Sequence, residues 1–496
     1  MSIQRKLTVA YFWNICGKWG VRLVGIGSTL ILARLLDPSA FGVVALATIC
    51  IGFFETLTDI GINRYLISQT ELDSKAMNTS WTLALVMKVL LIFILVCLSE
   101  FLADFMDAPE IQLIVIVLAF SSIFSALTNI GLVRLEKALE YKRISTLLLT
   151  AKLISAAVTL SLAFYFQNYW ALVAGGICST FVYCVGSYFI TTYRPKISFA
   201  LEKGQLSFSG KIMARAVLGY TRSKLDVFLV GNLFDKSAVG KYNIGQEFAI
   251  LPLTEVITPA STAMFPALAQ FRNDKQELFD KTYKYFALVY GFVMPCIVGM
   301  WFIAPQFCTV ILGPKWSDTA SIMSVLAMLM LPFPLTAITN NLFDYLNKTQ
   351  FSLFSDCIGI VMLLTAFKLL DFSDVTYFAW VRSLVGIVAF VAILVFVRAT
   401  IGLSISKMIS VLGVPLVASL FMWFCLTYGY HSIEISLIGL LINVVIGGLS
   451  YGAALIAVLP IMAKIDPTWA FWHSKLKQTS SSVLAHLLYR LKSKGS

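Results

Sequence analysis

Charged side chains stand well inside the long apolar runs of this sequence, and their chemistry indicates a class of ligand. Arg can bind two phosphate oxygens at once, and Lys acts as a point charge. A charge at the centre of a bilayer costs about 2.5–3.5 kcal/mol on insertion scales, so such groups usually face protein or water. The cations at this depth therefore predict a water-filled cavity that selects an anionic substrate. They are Lys18, Arg22, Lys88, Lys152, Arg215, Arg222, Lys224 and Arg382.

Carboxylates at comparable depth allow a second interpretation, in which opposite charges pair and hold helices together. These acids are Glu55, Asp59, Asp226, Glu247 and Glu255. A structural pair such as Arg222 with Asp226, four residues apart, is as good an interpretation as a binding role. Pairing does not cover the whole set, because eight cations face five acids. Excess cations in apolar surroundings need water or an anionic guest.

The elements that must position these charges are transmembrane helices. Of the 496 residues, 58% are hydrophobic and 13% are charged, and the mean hydropathy is +0.84. A soluble surface cannot be covered from this composition. Fourteen apolar runs reach the roughly 20 residues that a spanning helix needs. The predicted spans are 8–33, 40–63, 80–103, 111–131, 145–166, 170–192, 211–234, 238–268, 285–311, 319–343, 351–370, 376–397, 408–428 and 435–462.

The positions of Lys and Arg predict the orientation. Alternate loops and the two ends hold 25 of the 38 basic residues, whereas the opposite loops hold three. Cytoplasmic loops carry the excess of basic residues in membrane proteins, so both termini are predicted to be cytoplasmic. Most of the net charge of +12 therefore comes from basic residues in the predicted cytoplasmic loops and ends. The last residues, 483–494, have the pattern of a basic amphipathic helix on the membrane surface.

An internal repeat divides the chain. Residues 35–42 read LLDPSAFG and residues 233–240 read LFDKSAVG, an offset of 198, and each copy lies between the first two spans of a half. Six spans separate the copies, which predicts two parallel six-helix bundles. The predicted parts of the chain are an N-terminal bundle (1–193), a cytoplasmic linker (194–210), a C-terminal bundle (211–399), helices 13 and 14 (400–463) and a basic tail (464–496).

The repeat also selects candidates for energy coupling. Asp59 and Glu255 follow the two motif copies at similar distances, and Glu55 lies one turn before Asp59. The other deep acids are further candidates, namely Asp226 and Glu247. A carboxyl kept out of bulk water has a raised pKa and can carry a proton near neutral pH. The alternative is a fixed ion-pair partner for Lys18 or Arg22, and the sequence leaves both open.

Other chemistry has no pattern to support it. The sequence contains no GxxxxGK[ST] phosphate loop, and its nine Cys show no CxxC or Cys/His spacing. Its three His lie outside the predicted spans, and the longest predicted loops are too short for a catalytic domain. We therefore expect a secondary transporter that is not an enzyme and has no cofactor or metal site.

Three segments resemble one family of membrane proteins. ILARLLDPSAFGVVALATI (31–49), DIGINRYLI (59–67) and LEKALEYKRIS (135–145) resemble the bacterial polysaccharide transporter family, of the Wzx type, within the superfamily of multidrug-and-toxin-extrusion (MATE) proteins. The colanic-acid-type exopolysaccharide exporters are the most similar members. The resemblance implies a V-shaped pair of helical bundles in the bacterial inner membrane. It further implies flipping of an undecaprenyl-diphosphate-linked oligosaccharide, in a pathway of exopolysaccharide or lipopolysaccharide biosynthesis that includes a polymerase and chain-length machinery.

Two other functions are compatible with a multi-pass membrane protein of this kind. A multidrug exporter of the same superfamily would need an acidic cavity for cationic drugs, which the excess of deep cations disfavours. A membrane-embedded polysaccharide polymerase or ligase would need a sizeable extracytoplasmic loop with catalytic side chains, and the predicted loops on that side are short.

Overall fold

The described part of the chain is helical and forms two compact units. A computed structural model describes residues 3–58, 61–69, 71–200, 209–261, 268, 270–271, 273–346, 348, 350–430 and 435–478. Unit 1 is Met1–Ile244 and unit 2 is Gly245–Ser496. No strand occurs among these described residues. The all-α membrane fold is confirmed, whereas the predicted division at 194–210 stays a prediction.

Unit 1 contains ten helices and the beginning of an eleventh. They are α1 (Ile3–Leu35), α2 (Pro38–Thr58), α3 (Ile62–Ser68), α4 (Ser74–Phe105), α5 (Glu110–Ser121), α6 (Ile123–Leu127), α7 (Leu132–Lys137), α8 (Tyr141–Phe166), α9 (Trp170–Ile190), α10 (Ser209–Leu233) and α11 (Lys236–Ala249). Helix α8 packs between α1 and α9, while α2 packs on α4, α5 and α10. The short helices α3 and α7 contact each other and the start of α4.

Unit 2 is built around one long helix and carries several tight or wide turns. Its elements are a π-helical turn (Leu253–Ile257), α12 (Lys275–Gln306), a second π-helical turn (Phe307–Leu312), a 3-10 turn (Pro314–Trp316), α13 (Thr319–Leu326), a 3-10 turn (Ala327–Met330), α14 (Pro332–Tyr345), α15 (Gln350–Leu369), α16 (Val375–Ile401), α17 (Ile405–Tyr430) and α18 (Leu437–Met462). Helices α17 and α18, which correspond to predicted spans 13 and 14, both pack on α12.

Eleven helical segments of the described chain are long and apolar enough to cross a membrane. The predicted spans 211–234, 238–268 and 351–370 are not among them, although α10, α11 and α15 are helical there. Helix α10 is excluded by its charges, since Arg215, Arg222, Lys224 and Asp226 lie within twelve residues of sequence. The chain is a multi-pass membrane protein, and the count of fourteen stays a prediction.

Side-chain caps explain where several helices begin. Asp274 Oδ1 accepts hydrogen bonds from the backbone N–H groups of Gln276 and Glu277 at 3.0 Å each, which satisfies two donors of the first turn of α12. Asp374 does the same for α16 at 2.7 and 2.8 Å. These bonds hold the pKa of Asp374 below its usual range.

The internal repeat is reproduced in the helix boundaries. Helix α1 ends at Leu35 and α10 at Leu233, while α2 begins at Pro38 and α11 at Lys236. Both offsets equal the 198 residues between the sequence motifs. The prediction that the two motifs occupy equivalent turns between helices is therefore confirmed.

The two motif copies also pack against each other inside unit 1. A Cβ built on Gly42 would lie 1.8 Å from the carbonyl oxygen of Lys236, and one built on Gly240 would lie 1.9 Å from that of Pro38. Each of these Cβ positions is 3.0 Å from the other glycine's backbone N. The helix starts are thus in reciprocal backbone contact, which only residues without a side chain permit. We call this contact the glycine crossing.

The described parts of the predicted linker and tail are held by hydrogen bonds. Residues 191–200 run along α4, where Asn78 Oδ1 accepts from the backbone N–H of Lys196 at 2.9 Å and Thr82 Oγ1 accepts from that of Ser198 at 2.9 Å. In unit 2, a helical stretch over 467–478 places Trp472 so that its indole N–H donates to the Lys284 carbonyl at 3.0 Å. The predicted amphipathic segment 483–494 lies outside the described residues.

Candidate functional site

Unit 1 contains a partly open cavity of about 950 Å³, at the upper end of the roughly 300–1,000 Å³ of small-molecule sites. We call it the unit-1 cavity. Helices α2, α3, α4, α6, α7, α9 and α10 contribute to its wall. The lining residues are Gly52, Glu55, Thr56, Thr58, Ile62, Trp81, Ala84, Lys88, Ser125, Ala126, Thr128, Asn129, Ile130, Leu132, Val133, Glu136, Tyr183, Ala216, Gly219, Tyr220 and Ser223.

The end of the cavity at α3 and α7 is supported by a small apolar cluster. Leu66, Met77 and Val133 are buried there with Trp81, so helices too short to be stable alone are held by tertiary packing. Asn129 fixes the turn before α7, because its Oδ1 accepts from the Gly131 N–H at 2.8 Å and its amide donates to the Tyr193 carbonyl at 2.7 Å. The wall is therefore ordered by both packing and hydrogen bonds.

Two residues with different predicted roles meet in this cavity. Lys88 Nζ donates to Glu55 Oε1 at 2.9 Å, with 18% of the lysine side chain and 40% of the glutamate side chain exposed. Lys88 belongs to the predicted anion-binding set and Glu55 to the predicted coupling set. Their contact places opposite charges next to each other, so this pair by itself gives the cavity no excess positive charge.

Glu136, which is not one of the predicted site residues, lines the same cavity from α7. Within the described part of the chain, no hydrogen bond or ion pair reaches its carboxyl. Burial raises the pKa of Glu136, because the charged form is penalised by the loss of water. In the sequence it lies among Arg134, Lys137 and Lys142, so it reads as an ordinary loop acid. Only its burial distinguishes it.

Aromatic side chains supply much of the remaining wall. Tyr220 donates from its hydroxyl to the Ile49 carbonyl at 2.9 Å, which fixes its ring beside Gly52. Trp81 is 9% exposed, and its indole N–H is buried with no hydrogen-bond partner among the described residues. Tyr183 lines the cavity from α9. Rings and hydroxyls thus surround the Lys88–Glu55 ion pair.

The remaining predicted cations of α1 and α8 are not among the cavity's described lining residues. Helix α1 packs on α8 through Gly17, Gly20 and Gly25, and the predicted cations Lys18 and Arg22 lie beside that glycine face. Lys18 is exposed and Arg22 is half-buried. The side chain of Lys152 extends along Gly25, with Cε 3.5 Å from where a Cβ would stand.

Helix α10 presents two different faces. Ala216, Gly219, Tyr220 and Ser223 line the cavity, whereas the predicted residues Arg215, Arg222 and Lys224 are half-buried elsewhere on the helix. Asp226 is fully buried. Its carboxylate accepts from the Val227 backbone N–H at 2.9 Å and from the Tyr242 hydroxyl at 3.3 Å, a setting typical of a structural acid.

Three predicted residues belong to unit 2. Glu247 is at the end of α11, Arg382 is in α16, and Glu255 lies in the π-helical turn, where the Thr254 hydroxyl donates to its carboxylate at 3.1 Å. Such turns occur often at functional sites. Asp59 lies outside the described residues. The structure therefore brings together Glu55 and Lys88, and the roles assigned to the other charges stay predictions.

Comparison with known proteins identifies relatives in polysaccharide biosynthesis. The chain is 21% identical over 332 residues to "Lipopolysaccharide biosynthesis protein WzxC" of Escherichia coli (strain K12), covering 66% of this chain and 68% of that protein. It is 20% identical over 318 residues to "Succinoglycan biosynthesis transport protein ExoT" of Rhizobium meliloti (strain 1021), with 64% of each covered. These matches span about two thirds of the relatives' lengths.

A solved structure shows the same fold. "Lipid II flippase MurJ, inward closed conformation" superposes with a TM-score of 0.69 at 16% identity, over 90% of this chain and 98% of that one. The family described as "Polysaccharide biosynthesis protein" matches residues 31–321, more than half of the chain. The predicted family is confirmed, while the special likeness to colanic-acid-type exporters stays a prediction. The chain belongs to the polysaccharide biosynthesis protein family.

Proposed function

We propose that this protein is a secondary transporter that flips an undecaprenyl-diphosphate-linked oligosaccharide repeat unit from the cytoplasmic to the periplasmic leaflet. The repeat unit would serve exopolysaccharide or lipopolysaccharide biosynthesis. The observation that carries the proposal is a polar, aromatic-lined cavity inside a bundle of membrane-spanning helices. A polar headgroup can cross a bilayer only where protein replaces the water it leaves. Relatives named for transport support the same direction.

The diphosphate gives a role to the deep cations. Lys18, Arg22, Lys152, Arg215, Arg222, Lys224 and Arg382 would offset its charge in the course of transport. Lys88 also belongs to the predicted set, and its ammonium group is in contact with Glu55. Coupling to protons through Asp59, Asp226, Glu247 or Glu255 belongs to the same proposal, with Glu55 as a partner of Lys88 during part of the cycle.

We place the protein in the bacterial inner membrane with both termini in the cytoplasm. The 25 basic residues of the predicted cytoplasmic loops and ends support this orientation. A polymerase and its chain-length machinery would take the flipped unit on the periplasmic side. With this orientation the α3 and α7 end of the unit-1 cavity is the cytoplasmic end, where a lipid-linked substrate made in the cytoplasm would enter.

The two alternatives have less support. A cationic drug in the unit-1 cavity would meet Glu55 already paired to Lys88. Glu136 is the lining carboxylate that a multidrug exporter would use instead. A polymerase or ligase needs a constellation of reacting side chains, and the relatives named for their activity are transport proteins.

The experiment follows the orientation of the substrate. After deletion of the gene, undecaprenyl-linked repeat units should accumulate facing the cytoplasm, as detected by their protection from an impermeant glycosidase added to spheroplasts. Arrival of unpolymerised units in the periplasm would contradict the proposal and favour a polymerase. Restored export on expression of the intact chain is the control.

A variant tests the cationic face of α1. Replacing Lys18 and Arg22 together by Ala should lower polymer export at least tenfold, because a desolvated diphosphate would lose two charge-assisted contacts. Lys6, exposed at the start of the same helix, provides the matched control as Lys6→Ala. Unchanged export in the double variant would remove the role assigned to these two residues.

A further inference from the structure

We infer that the unit-1 cavity binds uncharged sugar residues of the transported headgroup, with Glu136 as a direct hydrogen-bonding partner, rather than the diphosphate. The inference rests on the proposed function and names the part of the substrate that this cavity takes. It separates the sugar from the phosphates, which the cations elsewhere in the chain would contact.

The charges on the wall of the unit-1 cavity disfavour an anionic ligand. The described lining residues include two carboxylates, Glu55 and Glu136, and one ammonium group, Lys88, which is already in contact with Glu55. A diphosphate placed here would be repelled by a carboxylate without gaining an uncompensated cation. A neutral polyol meets no such cost, because hydroxyls donate to carboxylates and accept from ammonium groups.

Neutral polar side chains line much of the unit-1 cavity and favour a ligand that forms hydrogen bonds. Hydroxyl and amide side chains face the cavity from α2, α6, α9 and α10 and from the turn before α7, and Asn129 is pinned by its bonds to Gly131 and Tyr193. Groups held in place lose little freedom on binding, so the site is preorganised for several directed hydrogen bonds. The hydroxyls of Thr56 and Ser223 donate to backbone carbonyls of their own helices, so each still offers an acceptor that a sugar hydroxyl can use and an apolar lipid chain cannot.

Aromatic side chains of the cavity wall can cover the apolar faces of a sugar ring. Sugar rings have apolar C–H faces as well as hydroxyl edges, and flat aromatic rings cover such faces without competing for hydrogen bonds. Trp81, Tyr183 and Tyr220 come from three different helices. Trp81 also holds a buried indole N–H without a partner among the described residues, close to the lining.

The test compares two soluble probes on the purified full-length protein in nanodiscs. Farnesyl diphosphate carries the diphosphate alone, and farnesyl-diphosphate-linked N-acetylglucosamine adds one neutral sugar. Glu136→Ala should weaken binding of the sugar-bearing probe by roughly tenfold or more, since hydrogen bonds to a charged group are stronger than neutral ones. Binding of farnesyl diphosphate should change less than twofold.

Glu140→Ala is the matched control, because Glu140 is exposed just beyond α7 and pairs with Arg143 outside the cavity. It should leave both probes unaffected. A second variant, Tyr183→Leu, should weaken only the sugar-bearing probe, and retained thermal unfolding temperatures would show that both variants fold.

Other binding results would contradict either the sugar assignment or the proposed function. Equal weakening of both probes by Glu136→Ala would overturn the sugar assignment and leave the flippase proposal intact. Unchanged binding of both probes in both variants would also overturn it. Failure of the unaltered protein to bind either probe, together with normal export after gene deletion, would contradict the proposed function itself.

Discussion

The two ends of α2 differ in how they pack, and the difference defines the working parts of unit 1. At its first turn, Gly42 is in backbone contact with α11 through the glycine crossing. At its last turns, Gly52, Glu55, Thr56 and Thr58 face the partly open unit-1 cavity of about 950 Å³. One helix is therefore sealed against the second repeat at one end and separated from its neighbours at the other. In the proposed orientation the seal is periplasmic and the opening cytoplasmic.

Sealing by glycine gives the largest expected effect. Gly42→Ala or Gly240→Ala places a methyl group within 2 Å of a carbonyl oxygen, so the helices must separate, and we expect destabilisation by about 1–3 kcal/mol with loss of export. Thermal unfolding and polymer export measure both effects. Gly176→Ala, where no atom lies within 4 Å, is the control, since Ala is worth about 0.5–1 kcal/mol more than Gly in a helix. Equal behaviour of the variants would show that the crossing has no such constraint.

The open end predicts a different pattern, in which transport is lost and the fold is kept. Ala84→Phe fills part of the unit-1 cavity from α4 and should reduce export about tenfold or more with little change in unfolding temperature, because cavity space accepts the ring. Val86→Phe, on the same helix at a position with 47% exposure outside the lining, is the control. A fall in stability as large as that of Gly42→Ala would contradict the distinction between the two ends.

The Lys88–Glu55 pair tests whether the cavity end is held by charge. Lys88→Met should destabilise the protein more than the double change Lys88→Met with Glu55→Gln, because the single change leaves a carboxylate without its partner. With 40% of the Glu55 side chain exposed, we expect a coupling free energy of about 1 kcal/mol or less. Chemical unfolding of the four proteins in a double-mutant cycle measures it. Additive effects would show that the pair does not stabilise this end.

The helix boundaries at the sealed end were predictable from sequence, whereas the backbone contact between them and the open end were not. The motif offset of 198 fixed equivalent helix ends at Leu35 and Leu233, because turn residues and helix starts are local features. The cavity depends on α3 and α7, which are too short and too polar to appear among apolar spans. Lys88 and Glu55 were predicted because they lie deep within predicted spans, but their contact was not predicted. Glu136 lies outside those spans and was not selected. Long-range packing, rather than any local pattern, decides which acid loses its water.

Glu136 should give the open end a pH dependence that the sealed end lacks. Its folded-state pKa is raised by burial, so the folded protein holds the proton more tightly than the unfolded chain. The resulting stabilisation is complete below the ordinary glutamate pKa and is lost as pH rises through the folded-state value. Glu136→Gln should therefore unfold at a higher temperature than the unaltered protein at pH 8, and at a similar one at pH 4.

Three titratable groups close to Glu136 must be considered in that experiment. Tyr183 of α9 and Tyr141 of α8 interact electrostatically with Glu136, and Lys137 follows it in α7 with its ammonium bound to the Gln69 carbonyl. Both tyrosines are neutral throughout this pH range, because the ordinary pKa of tyrosine is about 10. A pH difference that persists in Glu136→Gln would assign the effect to another group.

The smallest effect is expected at the rim of the sealed end, where Lys236 of α11 forms an ion pair with Glu110 of α5. The two side chains are 31% and 40% exposed, so water and salt screen their attraction. Glu110→Gln should cost about 0.2–1 kcal/mol at low ionic strength and almost nothing at 1 M salt. Unfolding temperatures of this variant and the unaltered protein, compared across salt concentrations, measure that difference. A loss that survives high salt would mean that charge, and not only the glycine crossing beside it, closes this end of unit 1.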